Sequence, residues 1–318
     1  MNYLVTGTAG FIGFHVANAL LMRGDTVTGI DNMNNYYDPT LKEARNKILD
    51  EDDNYDFHQV DISERDALEY LFKEHKFEKV CHLAAQAGVR YSLIDPFIYQ
   101  KSNVEGFVNM IHLSKEYEVK NFVYASSSSV YGGNTKIPFS EDDPVDKPIS
   151  LYAATKKANE LMAYTYTHLY QLPCVGLRFF TVYGPYGRPD MALYKFTKNI
   201  MEDREIEVYN FGNMRRDFTY IDDIVQGVLA SLDREFEYEI FNLGNNKPVE
   251  LNRFIEIIEQ ELGKEAKKTM LPLQPGDVPE TYADIDKAKR LLDFEPKTSI
   301  EDGIKKFVAW YREYNNIE

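Results

Sequence analysis

Three glycines spaced three residues apart follow the first apolar run of the chain and precede its first helical pattern. The apolar run spans residues 3–6, and Gly7, Gly10 and Gly13 come directly after it. In a strand–turn–helix unit such glycines permit a tight turn, let the backbone approach a bound pyrophosphate and allow the helix to pack closely on the strand. The chain is therefore predicted to begin with the first βα unit of a dinucleotide-binding sheet.

Short apolar runs alternate with helical patterns through the first half of the chain. Strands are predicted at residues 3–6, 26–30, 55–59, 79–82, 121–125 and 174–178, and helices at residues 10–22, 40–49, 64–73, 96–117 and 151–170. Strands separated by helices form βαβ units, whose strands pair in parallel and whose crossovers are right-handed. The predicted fold class is α/β, a Rossmann-type doubly wound parallel sheet.

The second half of the chain has a different pattern, in which glycine, proline, asparagine and aspartate separate short helical segments. We expect these residues to form a smaller mixed C-terminal lobe that covers the carboxyl edge of the sheet and binds substrate. The predicted domains are an NAD-binding domain over residues 1–180 and a lobe formed mainly by residues 181–318. A later segment, at about residues 213–240, is expected to return to the first domain.

Composition disfavours several classes of partner. The formal net charge is −15 and no basic stripe is present, which argues against nucleic-acid binding. No window approaches the ~18 uninterrupted apolar residues of a membrane helix, and the first predicted strand begins at residue 3, so we expect neither a membrane span nor a leader peptide. Cys81 and Cys174 lie in apolar strands without metal-ligand spacing, which predicts buried free thiols, a cytoplasmic protein and no metal site.

The glycine turn predicts NAD as the cofactor when it is combined with the residues that follow. The first helical residues, Phe11, Ile12 and Gly13, offer backbone N–H groups to phosphates. Asp31 ends the second strand 18 residues after Gly13, where its carboxylate can accept hydrogen bonds from the adenosine ribose. Asn32 follows in place of a basic residue, which favours NAD over NADP. Asp61 can face the adenine amino group, although a helix N-cap is an equally good interpretation.

Tyr152 and Lys156 are the predicted catalytic pair. They are four residues apart in a predicted helix and so share one face. A free phenol has a pKa of ~10, and an adjacent ammonium together with an oxidised nicotinamide is expected to lower it, so that Tyr152 can take a proton from a sugar hydroxyl as hydride leaves the same carbon. Ser127, at the carboxyl edge of the sheet, can hydrogen-bond the reacting hydroxyl. A polar loop is the alternative interpretation of the serines.

The glycine turn, the serine run and the tyrosine–lysine pair together resemble the extended short-chain dehydrogenase/reductase family of nucleotide-sugar enzymes. The resemblance covers essentially the whole chain. It extends through residues 82–90, 126–132, 178–185 and 216–223. Within that family the chain is most similar to the UDP-glucuronate 4-epimerases, through residues 134–136, 188–192, 212–216 and 274–279.

The resemblance implies roles for further residues. Lys156 would contact the nicotinamide ribose and Phe179 the nicotinamide ring, while the adenosine half of NAD would be lined by Asp31, Asn32, Asp61, Ile62, Leu83, Ala84 and Ala85. Arg216 and Asp277 would contact the UDP moiety, and Arg188 would close a loop over it. Arg90 resembles a further anion contact, with a surface salt bridge as the alternative. Thr181 stands where the family usually has Asn, and its shorter hydroxyl would leave room for a C6 carboxylate.

The serine run distinguishes between the reactions of this family. Nucleotide-sugar 4,6-dehydratases carry Asp and Glu at the positions of Ser128 and Ser129, and UDP-glucuronate decarboxylases keep Glu at the second of these. Serine cannot act as a general acid or base of comparable pKa. The expected reaction is therefore C4 epimerisation of UDP-glucuronate through a 4-keto sugar. The alternatives are a UDP-N-acetylhexosamine or UDP-galactose 4-epimerase and a non-catalytic NAD-binding sensor.

Two further expectations concern the carboxylate and the subunits. A 4-keto hexuronate is a β-keto acid that tends to lose CO₂. We hypothesise that Ser127, Ser128, Ser129 and Thr181 hold the carboxylate near the plane of the carbonyl, where the C–C bond cannot overlap the π system. In this family the helices predicted at residues 96–117 and 151–170 pair across a dimer, so the resemblance implies a homodimer. Packing within one subunit is the alternative.

Overall fold

The large sheet of the computed structural model, which describes residues 1–274 and 278–317, confirms the predicted α/β class. Seven parallel strands lie in the order β11-β6-β5-β4-β1-β2-β3. Their bounds are β1 Asn2–Thr6, β2 Thr26–Asp31, β3 Tyr55–Gln59, β4 Lys79–His82, β5 Asn121–Ser127, β6 Cys174–Phe179 and β11 Tyr238–Leu243. The chain reverses its direction of travel across the sheet between β1 and β4, which creates a crevice at the carboxyl ends of these strands.

Helices cover both faces of this sheet. Their bounds in the first half of the chain are α1 Phe11–Met22, α2 Thr40–Leu49, α3 Arg65–His75, α4 Pro96–Tyr99, α5 Gly106–Glu116 and α6 Leu151–Tyr170. Helix α1 packs against α2 and against α8 (Ile221–Asp233), while α5 packs between α3 and α6. The two faces bury separate apolar clusters, of which the first continues into the C-terminal lobe.

The prediction of one continuous helix over residues 96–117 is wrong in one respect. A π-helical turn over Gln100–Glu105 separates α4 from α5. Asn103 in this turn binds two neighbouring segments. Its side chain bonds both backbone groups of Gln86 and also Thr155, and its carbonyl accepts a hydrogen bond from Asn159 at 2.7 Å. These hydrogen bonds join Asn103 to residues far away in the sequence. The periodicity of apolar residues within the helix therefore gives no sign of the widened turn.

Strand β11 is a seventh strand that the sequence analysis did not predict. Its residues pair in register with β6, from Tyr238 opposite Cys174 to Leu243 opposite Phe179. The run Tyr238–Leu243 contains Glu239 and Asn242 and so lacks the continuous apolar character of a central strand. An edge position tolerates these groups, and Asn242 bonds to the backbone of Phe139 and Asp284.

The remaining elements of the described residues form three small sheets with flanking helices, and we refer to them together as the C-terminal lobe. They are β7 Thr181–Tyr183, α7 Ala192–Met201, β8 Glu205–Tyr209, β9 Arg215–Arg216, β10 Phe218–Tyr220, β12 Val249–Glu250, α9 Leu251–Leu262, β13 Lys267–Leu271, β14 Glu280–Thr281, α10 Asp286–Leu292 and α11 Ile300–Tyr314. Helix α9 packs against both α7 and α11. Over residues 1–274 and 278–317, no helix is long and apolar enough to cross a membrane.

Candidate active site

A cavity of about 980 Å³ lies between the carboxyl ends of the parallel strands and the C-terminal lobe. Its volume is at the upper end of the usual range for small-molecule sites, ~300–1,000 Å³. Asp277 lies outside the described residues, and the side chain of Asp61 does not line the cavity. The other predicted site residues all line it: Gly7, Gly10, Phe11, Ile12, Gly13, Asp31, Asn32, Ile62, Leu83, Ala84, Ala85, Arg90, Ser127, Ser128, Ser129, Tyr152, Lys156, Phe179, Thr181, Arg188 and Arg216.

The glycine turn leaves no space for side chains and so brings backbone to the cavity wall. Gly7 has φ +77°, and a Cβ at this position would lie 3.0 Å from the backbone nitrogen of Ala84. A Cβ at Gly13 would lie 2.0 Å from the carbonyl oxygen of Gly7. Gly10 is the N-cap of α1 and has no side chain that could occupy the first-turn N–H groups. This cradle fits the pyrophosphate of a dinucleotide, because bare N–H groups at a helix N-terminus favour an anion.

The carboxyl end of β2 carries the acidic residue expected to bind ribose. Asp31 is 8 % exposed, and its Oδ1 accepts hydrogen bonds from the backbone of Met33 at 2.8 Å and from Lys42 Nζ at 3.3 Å. Asn32 donates from Nδ2 to Asp61 Oδ2 at 3.1 Å. Asp61 also accepts bonds from the backbone and hydroxyl of Ser63 at 2.9 and 2.7 Å, which hold the turn before α3. Its carboxylate therefore positions Asn32 and this turn from outside the cavity wall.

Tyr152, Lys156 and Ser127 meet at the centre of the cavity. Helix α6 begins after Ser150, whose hydroxyl accepts a hydrogen bond from the backbone of Ala153 at 3.1 Å, so that Tyr152 lies in the first turn. Lys156 is 4 % exposed, and its Nζ donates to the carbonyl of Ala125 at 2.8 Å. Burial lowers the pKa of Lys156 to about 8. The pair therefore lies beneath the end of β5, as its spacing in the sequence indicated.

The pKa of Tyr152 differs from the expectation. Burial raises it, and the opposing influences are a hydrogen bond with Ser127 and the positive charge of Arg188. The predicted lowering rests on both Lys156 and an oxidised nicotinamide; Lys156 is not among the groups that lower the pKa here, and its ammonium donates to the Ala125 carbonyl. The protein by itself thus keeps Tyr152 protonated. A lower pKa requires a further positive charge beside the phenol.

The serine run forms a hydroxyl-lined wall next to Tyr152. Ser127 ends β5, and its Oγ accepts a bond from the backbone N–H of Ser129 at 3.1 Å and donates to the Ser129 hydroxyl at 3.1 Å. This N-cap starts a 3₁₀ turn, Ser128–Tyr131, that turns the chain across the edge of the sheet. The wall can donate several hydrogen bonds to an anion but has no group that titrates near neutral pH.

Arg188 brings a cation to the same region from the C-terminal lobe. Its guanidinium forms a two-point ion pair with Asp190, from Nε to Oδ1 at 3.0 Å and from Nη2 to Oδ2 at 2.6 Å. Tyr36 donates to the same Asp190 Oδ2 at 3.2 Å. Although burial opposes it, Arg188 holds the pKa of Asp190 below its usual value. Thr181, the first residue of β7, is half-buried and faces the cavity.

Two more predicted anion contacts lie at the outer part of the cavity. The guanidinium of Arg90 lies 4.6 Å from the centre of the Tyr209 ring, close enough for a cation–π contact. Arg216 belongs to β9 and donates from Nη1 to the carbonyl of Pro279 at 3.1 Å. Arg216 therefore belongs to the C-terminal lobe, whereas Arg90 follows β4 and contacts the lobe through Tyr209.

Two basic residues that the sequence did not predict lie at the end of the cavity near Asp31 and the glycine turn. Lys42 lines the cavity, is 5 % exposed and reaches both Asp31 and Asn34. Arg45 is fully buried and donates to the carbonyl of Ala9 at 2.7 Å and to the carbonyl of Tyr186 at 2.6 Å. Arg45 thereby joins the glycine turn to the loop that carries Arg188. The only sequence signal was a pair of basic residues on one face of the helix at residues 40–49.

A buried ion pair links the helix that carries Tyr152 to the strand that ends at Ser127. Glu160 in α6 and Arg178 in β6 have side chains that are 2 % and 3 % exposed. Glu160 accepts from Arg178 Nε at 2.8 Å and Nη2 at 3.0 Å, and from the hydroxyl of Ser126 at 2.7 Å. Arg178 also donates to the hydroxyl of Tyr131 at 2.9 Å. The pair links α6, β5 and β6 directly beneath Ser127 and Tyr152.

Known proteins resemble this chain over nearly its whole length. Residues 4–307 match the family described as GDP-mannose 4,6 dehydratase. An uncharacterized protein of Methanocaldococcus jannaschii is 58 % identical over 98 % of this chain and 96 % of its own length. A UDP-glucuronate 4-epimerase of Thermodesulfobacterium geofontis is 50 % identical over 99 % of this chain and 97 % of its own. The crystal structure of UDP-glucuronic acid 4-epimerase from Bacillus cereus with UDP-glucuronic acid and NAD is 35 % identical, covers 99 % of this chain and 100 % of its own, and has a TM-score of 0.93.

Proposed function

The chain belongs to the extended short-chain dehydrogenase/reductase family of nucleotide-sugar enzymes, and we propose that it interconverts UDP-glucuronate and UDP-galacturonate by NAD-dependent epimerisation at C4. The family predicted from the sequence is confirmed by the match over residues 4–307 and by the full-length similarity to UDP-glucuronate 4-epimerases. NAD as the cofactor agrees with the structural neighbour, which holds NAD, and with the glycine cradle of this chain.

The observation that carries this proposal is the chemistry of the wall beside Tyr152. Ser127, Ser128 and Ser129 face the cavity where an elimination would need a carboxylic acid and a base. Hydroxyls from this wall and from Thr181, with the cation of Arg188, instead match the charge of a C6 carboxylate. The site is equipped to bind a uronate and to move one proton.

The chain's own residues perform the proton transfer and the positioning. NAD, when bound, supplies the reversible oxidation of C4. Tyr152 takes the proton of the C4 hydroxyl and returns it to the C4 oxygen after the sugar has turned to present its other face. Ser127, which hydrogen-bonds with Tyr152, holds the C4 oxygen during both transfers. Lys156, whose Nζ donates to the Ala125 carbonyl, would contact the nicotinamide ribose, as the resemblance to the family implies.

The hydroxyl wall also accounts for the retention of the carboxylate. We propose that Ser128, Ser129 and Thr181 hold the carboxylate of the 4-keto sugar, and with it the C5–C6 bond, near the plane of the C4 carbonyl. In that geometry the breaking bond cannot overlap the π system, so CO₂ is retained. The double variant Ser128→Ala, Ser129→Ala is expected to release more CO₂ per epimerised product. An unchanged partition between UDP-galacturonate and CO₂ would refute this role.

A comparison of substrates distinguishes this function from the alternative, a UDP-galactose or UDP-N-acetylhexosamine 4-epimerase. We expect kcat/KM for UDP-glucuronate to exceed the values for the neutral UDP sugars by about 100-fold, because hydrogen bonds to a charged group contribute roughly 1.5–3 kcal/mol each. Equal kcat/KM values would favour the alternative. Tyr152→Phe is expected to abolish turnover while NAD remains bound, which distinguishes an enzyme from an NAD-binding sensor.

Two coarser proposals follow from the surface and the cysteines. Exposed apolar residues lie along the segments that this family uses in dimers, among them Phe97, Leu161 and Tyr164, which are 80 %, 57 % and 56 % exposed. We propose that they form a homodimer interface, which light scattering during size-exclusion chromatography can test.

Cys81 and Cys174 are free and buried, and we propose the reducing cytoplasm as the compartment.

A further inference from the structure

Two histidines and an aspartate converge at the edge of the sheet, away from the cavity. Asp56 and His58 are two residues apart on β3, so their side chains project from the same face of this edge strand. His75 is the last residue of α3, which packs on that face. One potential ligand atom from each of the three residues lies within 4.8 Å of the other two.

The geometry points to a binding site for one divalent first-row transition-metal ion, of which Zn²⁺ is the example we propose, held by Asp56, His58 and His75. Imidazole nitrogen with one carboxylate oxygen is a ligand set that suits Zn²⁺ and its neighbours, whereas Mg²⁺ and Ca²⁺ prefer all-oxygen sites. Three protein ligands leave a fourth tetrahedral position to water.

The distances between the ligand atoms are close to those that a tetrahedral ion requires. His58 Nε2 lies 2.9 Å and His75 Nε2 lies 3.8 Å from the same oxygen of Asp56, Oδ2. Metal–ligand bonds of about 2.0–2.2 Å at the tetrahedral angle place ligand atoms about 3.3 Å apart. On binding the ion, His58 Nε2 must move away from Asp56 Oδ2, and His75 Nε2 must move towards it, each by roughly half an ångström. Rotation of the side chains can supply these movements.

Neighbouring groups orient His75 for this role. Its Nδ1 lies 3.5 Å from the hydroxyl of Thr28, so Nδ1 faces a hydrogen-bond partner while Nε2 faces Asp56. The ring of Phe77 stacks on the His75 ring with an interplanar angle of 3°, and the ring of His58 meets it edge-on at 5.4 Å. A partner on the far nitrogen and a packed ring are the supports that metal-binding histidines usually have.

The location gives the ion a structural role. It would join the edge strand β3 to the end of α3. Asp56 precedes Gln59, the residue that pairs with Asp31, by three positions, or about 10 Å along a strand. The ion would therefore lie away from Tyr152 and Lys156, so its removal should leave turnover unchanged. This inference is independent of the reaction proposed above.

Binding of Zn²⁺ alone and of Co²⁺ alone to the full chain, freed of any affinity tag and treated with a chelator, tests the inference. We expect one equivalent of Zn²⁺ by calorimetry, a visible absorption band typical of tetrahedral Co²⁺, and a rise in Tm of roughly 5 °C at a hundredfold excess over Kd. His58→Ala and His75→Ala should each weaken binding by at least about 10-fold.

The matched control is His112→Ala, because His112 is also a partly exposed histidine beside a carboxylate, with Nε2 3.8 Å from Glu116, but without a second histidine as a ligand in the described site. This variant should bind Zn²⁺ as the unaltered chain does. Binding that is absent, or that His58→Ala and His75→Ala leave unchanged, overturns the inference. A folded state for each variant is checked by its far-UV circular dichroism and by a metal-free Tm close to that of the unaltered chain.

Discussion

The ion pair of Glu160 and Arg178 should contribute strongly to the free energy of unfolding, and removing either partner alone should be costly. Glu160→Gln leaves the guanidinium of Arg178 buried without a carboxylate, because the amide keeps one acceptor oxygen but no negative charge. Breaking a buried pair in this way costs about 3–5 kcal/mol. Arg178→Met should fall at the lower end of that range, because Glu160 keeps Ser126 at 2.7 Å and Lys157 at 3.3 Å.

The double variant Glu160→Met, Arg178→Met should be much less destabilised than the sum of the two single variants. Both buried charges are gone, and the main loss is one partner each for the hydroxyls of Ser126 and Tyr131, about 1 kcal/mol apiece. The coupling energy in the cycle, completed with Glu160→Met, should therefore reach about 3 kcal/mol. The coupling energy is expected to be this large because the side chains of Glu160 and Arg178 are only 2 % and 3 % exposed, so that solvent does not screen their charges.

Urea unfolding at saturating NAD provides the assay, with the fluorescence of Trp310, the single tryptophan, and far-UV circular dichroism as two probes that must coincide. The control cycle uses Glu69 and Lys73, a pair at 2.9 Å whose side chains are 34 % and 59 % exposed. Its coupling should be below the resolution of the measurement, because solvent screens exposed pairs. A coupling for Glu160 and Arg178 as small as that of the control would refute the reasoning.

Three further changes test the cofactor turn and the buried histidine. Gly13→Ala places a methyl group 2.0 Å from the Gly7 carbonyl and should weaken NAD binding by roughly 100-fold, measured as NAD released on denaturation, whereas Gly133→Ala, with its nearest neighbour at 4.0 Å, should not. In Arg45→Lys the lysine keeps the charge but cannot reach both the Ala9 and the Tyr186 carbonyl. The Kd for NAD should therefore rise about 10-fold with little change in kcat. An unchanged Kd contradicts this role of Arg45. Burial lowers the pKa of His82 to about 3 in the folded chain. Below pH ~6.5 the unfolded chain therefore binds a proton that the folded chain does not. His82 alone should lower the free energy of unfolding by up to ~1.4 kcal/mol for each pH unit of acidification. His82→Gln should remove that part of the slope, and an identical pH profile would count against it.

The sequence was sufficient for the parts of the site that lie on regular elements. Gly7, Gly10 and Gly13 follow a strand and begin a helix, and Tyr152 and Lys156 share one helical face, so local spacing alone brings them to one edge of the sheet. The carboxyl ends of parallel strands meet at that edge, and the cavity lies there.

The parts that escaped the sequence depend on contacts between distant segments. Arg45 is fully buried because the loop containing Tyr186 covers it, and nothing near it in the chain indicates that. The pKa of Tyr152 is raised because tertiary packing buries the phenol. His75 lies 17 residues after His58, so the spacing of the three possible metal ligands matches no local motif.

Incubation of the purified protein with UDP-glucuronate carrying deuterium at C4, without added NAD, tests the central claim most directly. We expect UDP-galacturonate with the deuterium retained at C4 and no accumulation of UDP-pentose or CO₂, because the retained cofactor returns the hydride that it removes and the hydroxyl wall protects the carboxylate. NMR of the product mixture resolves these species. Loss of the deuterium to solvent, or a UDP-pentose as the main product, would contradict the account.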